Sequence, residues 1–302
     1  MTLVSSIKEV YEKNTSHNQN LTLAVVKAAD DHVLECIKDT IHRGDTFVYL
    51  IDDQAKLQSL LEKYDLPAES YQIIDQADDD QASQAAVKLA KENKISAIMK
   101  GKLSTGRLLK PVVNKENGIR KSQLLTHVAV LYVPKLDRLI GITDGGMALE
   151  PDFEDSKIII QHGIEVFQSL GIQNPKVTLL SASEEPISKL ASSNIQVQLT
   201  EYYANRPEIV EGPLSTDISL VPDIAKEKNY AGQIQGDADI VMVPNIVTGN
   251  SFSKALILFG GAMMAGIIMG AEVPIILTSR SASAEEKYAS ILLAQTIMNA
   301  SK

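Results

Sequence analysis

Residues 236–254 read G-D-A-D-I-V-M-V-P-N-I-V-T-G-N-S-F-S-K. An acidic turn enters an apolar strand at Ile240 to Val243. A Pro-Asn turn leaves it, and Thr248-Gly249-Asn250 opens a helix that carries Lys254 one turn in. Strand–turn–helix units of this kind build α/β proteins with parallel sheets. The same unit makes an anion pocket, because free backbone N–H groups and the positive helix end face the turn. Asn250 and Lys254 are four apart and share a helix face, so both are candidate ligand contacts. A helix that is merely well capped gives the same pattern.

The alternation runs through almost the whole chain. Strands are expected at 21–26, 46–51, 71–74, 95–99, 125–133, 139–143, 177–180 and 273–277. Helical patterns fill 31–42, 54–63, 80–91, 104–113, 155–170 and 284–300. The expected fold class is therefore α/β, with mostly parallel sheets and helices on both faces. Residues 184–232 carry Pro186, Pro207, Pro213 and Pro222 and read as short helices and loops. The strand doublet at 125–143 suggests two domains, 1–135 plus 272–302 and 136–271.

Composition narrows the function. The chain has 302 residues, 44% of them hydrophobic, enough for a sizeable core. A net charge of −9 and an aromatic share of 5% without Trp argue against nucleic acid or an anionic membrane as partner. Cys36 is the single cysteine, so no intrachain disulfide can form, and a cytoplasmic location is expected. It sits in an amphipathic helical pattern that favours a buried structural thiol over a nucleophile. The N-terminal residues lack the pattern of a secretory leader. The uncharged run at 255–271 is short for a bilayer, and the alternative is a central helix buried on all sides.

Three constellations carry possible chemistry. Residues 100–121 hold seven basic residues against Glu116 alone, and Arg107 and Lys110 share a helix face. This island either meets an anion beyond the end of a strand or is a solvated basic face. Thr278-Ser279-Arg280 follows an apolar strand, and the Arg280 fork suits phosphate or carboxylate. Glu286 comes one element later, within Ser283-x-x-Glu286, which is also a capping box. Thr143-Asp144-Gly145-Gly146 turns after a strand and either presents Asp144 to a ligand or reverses the chain. His127, in an apolar strand, reads as a satisfied core histidine. The sequence has no P-loop, dinucleotide fingerprint, zinc-site spacing or nucleophile elbow, so neither a cofactor nor a metal is expected.

These residues resemble the phosphate acetyltransferase and phosphate butyryltransferase family. The matching segments are M-K-G-K-L-S-T-G-R-L-L-K-P from Met99, T-D-G-G-M-A from Thr143, G-D-A-D…P-N-I-V-T-G-N…K, and P-I-I-L-T-S-R…E from Pro274. T-H-V-A-V from Thr126, T-D-G-G-M and the length are closer to the butyryl branch. The resemblance implies a two-domain fold like that of isocitrate and isopropylmalate dehydrogenases, with the active site in the cleft and a homodimer or larger oligomer. It implies reversible transfer of a short acyl group between coenzyme A, as substrate, and inorganic phosphate, through an acyl phosphate. Ser279 and Arg280 would contact the reacting centre. Glu286 would stand where acetyl enzymes place an Asp as thiol base, and Lys110 where they place an Arg. Thr278, Asp144, Asn250 and Lys254 would contact substrate. The competing expectations are an acetyl-specific enzyme and a non-catalytic sensor of acyl-CoA or acyl phosphate.

Overall fold

The computed structural model describes residues 2–13, 21–44, 46–279 and 282–300. Two compact units emerge, residues 7–125 with 265–302 and residues 1–6 with 126–264. In chain order the elements are α1 (Leu3–Lys13), β1 (Leu21–Val26), α2 (Asp31–Arg43), β2 (Thr46–Asp52), α3 (Gln54–Leu61), β3 (Tyr71–Asp75), α4 (Asp79–Lys91), β4 (Ala97–Lys100) and α5 (Thr105–Val112). Next come β5 (Thr126–Val133), β6 (Arg138–Thr143), α6 (Phe153–Ser169), β7 (Lys176–Leu180), α7 (Ala191–Tyr203), β8 (Ile209–Leu214), α8 (Thr216–Leu220) and α9 (Pro222–Glu227). The chain ends with β9 (Ile240–Met242), α10 (Ile246–Gly260), β10 (Met263–Met269), β11 (Ile275–Ile276) and α11 (Ala284–Ala300). The α/β class and the mostly parallel pairing both hold.

In the first unit the strand order is β3-β2-β1-β4-β11, all parallel, and β11 pairs antiparallel with β10. The central strands β1 and β4 are nearly continuous apolar runs because they are buried on both faces: every residue of β4 is buried, and all but Thr22 in β1. Val26 pairs with Lys100 and Met99 with Ile276, so β1, β4 and β11 end level with one another. Lys27, Gly101 and Thr278 leave the sheet at that common edge, where open α/β sheets bind ligands. Asp30 caps α2 by accepting from the His32 and Val33 backbone N–H groups. Cys36, on the buried face of α2, is fully enclosed, and burial pushes its thiol up to about 12. It is the structural thiol expected.

In the second unit the order is β5-β6-β9-β7-β8, with β5 and β6 an antiparallel hairpin and the remaining pairs parallel. Its core joins Leu131, Ile140, Ile142, Leu214, Val241 and Val243. Each such side chain contributes roughly 1.5–3 kcal/mol by leaving water.

Two expectations need correction. Residues 255–271 are not one buried helix. Gly261 adopts φ 66°, a left-handed conformation that ends α10, and the rest of the run forms β10. Leu258 and Phe259 near that end are 71% and 88% exposed. The helix that is buried nearly all round is α11, where residues 287–294 are buried without interruption. Within 184–232 lie a 13-residue helix, α7, and a strand, β8. Gly212 and Pro213 hide β8 from a propensity reading, and it takes the last place in the strand order, where Pro is tolerated. No helix of the described residues is long and apolar enough to cross a membrane.

Candidate active site

In the first unit a solvent-open pocket of about 470 Å³ lies at the C-terminal ends of the strands. Thr278 and Ser279 line it, together with Lys100, Lys102, His32 and Lys287. Thr278, Lys100 and Lys287 are 6%, 7% and 4% exposed. The Lys100 ammonium donates to the carbonyls of Gly101 and Leu103, both at 3.2 Å, and the Lys287 ammonium donates to the carbonyl of Ala282. Gly101 is fixed by its N–H to the Val26 carbonyl (2.8 Å), and Lys102 by its N–H to the Lys27 carbonyl (2.9 Å). The pocket thus gathers two hydroxyls and cations from separate elements, an arrangement that suits an oxyanion. Arg280 lies outside the described residues.

Three members of the basic island have structural partners. Lys100 is buried. Arg107 pairs with Asp79 at 3.0 Å, and Lys110 with Asp80 at 3.5 Å, across the first turn of α4. Asp79 and Asp80 are the acidic first turn expected of a helix N-terminus, and they attract α5's cations. Lys110 is exposed and is not among the residues lining the Ser279 pocket.

Glu286 forms the capping box. Its Oε2 accepts from the Ser283 backbone N–H (2.9 Å) and hydroxyl (3.1 Å), while its own N–H donates to Ser283 Oγ (3.2 Å). The carboxylate therefore anchors the start of α11. Lys287, one residue later, was missed by sequence reasoning. A charged residue in a first turn normally faces water. Only the unbroken burial of α11, a tertiary property, places it inside.

In the second unit the Asp144 turn and the start of α10 meet. Asp144 is 2% exposed. One carboxylate oxygen accepts from the N–H groups of Gly146 and Met147, each at 2.7 Å, and the other from the N–H of His127 at 2.8 Å. Its bonds hold the turn together, the chain-reversing role. Gly145 and Gly249 pack backbone to backbone: a Cβ on Gly249 would lie 2.6 Å from Gly145 Cα. The cap of α10 is Asn245, whose side chain accepts from the Thr248 N–H at 2.9 Å. The helix therefore starts before Thr248, and Asn250 sits in its second turn rather than at its mouth. Asn250 and Lys254 are both exposed.

His127 departs from expectation. Its Nδ1 is buried without a hydrogen-bond partner. Gly146 packs on the ring, so closely that a Cβ there would lie 2.9 Å from Cγ. Burial holds the imidazole below its ordinary pKa, against the pull of the Asp144 charge. His162 is lowered by burial as well, and its Nδ1 is 2.8 Å from Thr126 Oγ1.

Comparison with known proteins identifies the family. Residues 80–295 match the family model described as phosphate acetyl/butaryl transferase. A phosphate butyryltransferase of Clostridium acetobutylicum is 32% identical over 299 residues, 98% of this chain and 99% of its own. A phosphate acetyltransferase of Rickettsia prowazekii is 34% identical over 285 residues, 93% of this chain and 78% of its own. The crystal structure of a branched-chain phosphotransacylase from Enterococcus faecalis V583 matches with a TM-score of 0.83 and 30% identity, covering 92% of this chain and 99% of its own. With a family model spanning most of the sequence and relatives aligned over nearly all of it, the chain belongs to the phosphate acetyl/butyryltransferase family of acyltransferases.

Proposed function

We propose that the protein transfers a butyryl or branched short-chain acyl group reversibly between coenzyme A and inorganic phosphate. The observation that carries this reading is the pocket that joins the Thr278 and Ser279 hydroxyls to buried lysine ammoniums at the C-terminal edge of the sheet. In one direction the coenzyme A thiolate attacks the carbonyl carbon of an acyl phosphate. The C–S bond forms, the C–O bond to phosphate breaks, and phosphate leaves with the electron pair. A thiol of pKa about 8.5 is mostly protonated at neutral pH, so a base raises its reactivity. Negative charge grows on the carbonyl oxygen and on the departing phosphate, and hydroxyl and cationic donors stabilise it. Ser279 and Arg280 are assigned to the reacting centre, Thr278 to substrate, and Glu286 to the thiol proton. Lys110, Asn250 and Lys254 are assigned to substrate charge, and Asp144 holds the turn beside Asn250.

The butyryltransferase and branched-chain relatives support the longer acyl group, while the acetyltransferase relative keeps acetyl as the second reading. The exposed Leu258 and Phe259 support a homodimer or larger homo-oligomer. The single, buried cysteine supports a cytoplasmic location. No cofactor is assigned beyond coenzyme A as substrate. Release of free thiol from butyryl-CoA, isobutyryl-CoA and acetyl-CoA in the presence of phosphate tests the reading. The specificity constant is expected to be highest for one of the two four-carbon substrates. A preference for acetyl-CoA overturns the chain-length assignment, and no release from any of them overturns catalysis in favour of a sensor.

A further inference from the structure

We propose that Lys287 is a phosphate-binding residue, holding the oxygens of inorganic phosphate and of the acyl phosphate in the pocket that also presents Thr278 and Ser279. The inference rests on the acyl-transfer reading for the identity of the ligand, but not for the existence of the site. Lysine is almost never as buried as the 4% exposure of Lys287 unless its charge is met. Its ammonium has three donors, and the structure shows one going to the Ala282 carbonyl. Among the described residues Lys287 makes no ion pair. One neutral carbonyl is a weak match for a cation at the wall of this pocket, and an incoming anion is a strong one.

The surroundings favour a phosphate. Lys100 and Lys102 line the same pocket and add positive charge to it, and Thr278 and Ser279 line it just beyond β11. Asp30 is the carboxylate of the lining, and its Oδ1 caps α2 by accepting from the N–H groups of His32 and Val33, so the lining carries one acid against three lysines. Lys100 is fixed at the end of β4, level with the ends of β1 and β11, and Lys287 by the buried part of α11, so binding needs little reordering.

Titration calorimetry with inorganic phosphate on wild type and Lys287→Met, at constant ionic strength, tests the proposal without any turnover. Phosphate affinity is expected to fall at least tenfold, and coenzyme A affinity to stay within twofold. In the steady state the phosphate KM should rise at least tenfold with the butyryl-CoA KM unchanged, and Lys287→Arg should recover part of the loss. Phosphate affinity within twofold of wild type overturns the proposal. So does an equal or greater loss for coenzyme A, which would assign the pocket to a phosphate of that substrate or make Lys287 purely structural. If Lys287→Met does not fold, Thr278→Val replaces it in the same titration: weakening of threefold or more is expected, and unchanged binding overturns the site. If wild type binds phosphate but releases no thiol, the acyl-transfer reading falls while the phosphate site stands.

Discussion

Gly145 and Gly249 are in direct backbone contact. A Cβ on the first would lie 2.8 Å from the Gly249 carbonyl carbon, and one on the second 2.6 Å from Gly145 Cα. No side chain separates the Asp144 turn from the first turn of α10, and that contact sets where Asn250 begins. Gly249→Ala inserts a methyl group with no room and is expected to destabilise the protein by about 1–3 kcal/mol, an ordinary overpacking penalty. Urea unfolding measures it. A midpoint equal to wild type would show that the two backbones can separate freely.

Glu286 has two claimed duties that a conservative change separates. Glutamine also completes a capping box, so Glu286→Gln preserves the bonds to Ser283 while removing the charge. If the carboxylate takes the thiol proton, turnover falls about a hundredfold, within the range for general bases, and Tm moves by less than ~2 °C. Glu286→Ala should lower both. Full activity in Glu286→Gln assigns the residue to helix capping alone.

Arg280 follows Ser279 directly in sequence, and its planar fork matches a phosphate better than any lysine. A donor aimed at transition-state charge is worth about 3 kcal/mol. Arg280→Ala is therefore expected to lower turnover about a hundredfold or more with the fold intact by circular dichroism. A loss below threefold removes Arg280 from the mechanism.

How far the sequence could be read depended on whether the deciding interaction was local. Strand–helix alternation is a local pattern, and β1, β2, β4, β6, β7 and α4 fall close to their expected places. The Ser283–Glu286 box was visible as a spacing of three and is present. Thr278 and Ser279 at a strand end follow from the same logic. The misses are tertiary. The apolar run 255–271 has one composition throughout, and a single left-handed glycine divides it into helix and strand. Two cations of the 100–121 island, Arg107 and Lys110, pair with Asp79 and Asp80, 28 and 30 residues earlier in the chain. Lys287 is buried because all sides of α11 are covered, and the His127 ring, its Nδ1 unpartnered, packs against Gly146 nineteen residues on. No window of neighbouring residues contains either fact.

The two enclosed histidines should make stability depend on pH in a defined direction. Burial lowers the pKa of both His127 and His162 in the folded protein, against weaker opposing pulls from Asp144 and, for His162, Glu165. In the unfolded chain each returns to an ordinary value of about 6.5. Below that pH the unfolded state binds protons that the folded state refuses, so stability is full above about pH 6.5. It falls as pH drops toward the folded values, and the slope is at most ~1.4 kcal/mol per pH unit for each histidine. Urea midpoints measured from pH 7.5 to 5.5 should therefore decline, and His127→Asn should flatten part of that decline even if it is less stable at pH 7.5. A variant whose stability falls as steeply as wild type over that interval would show that the His127 imidazole accepts its proton in the folded state as readily as in the unfolded one.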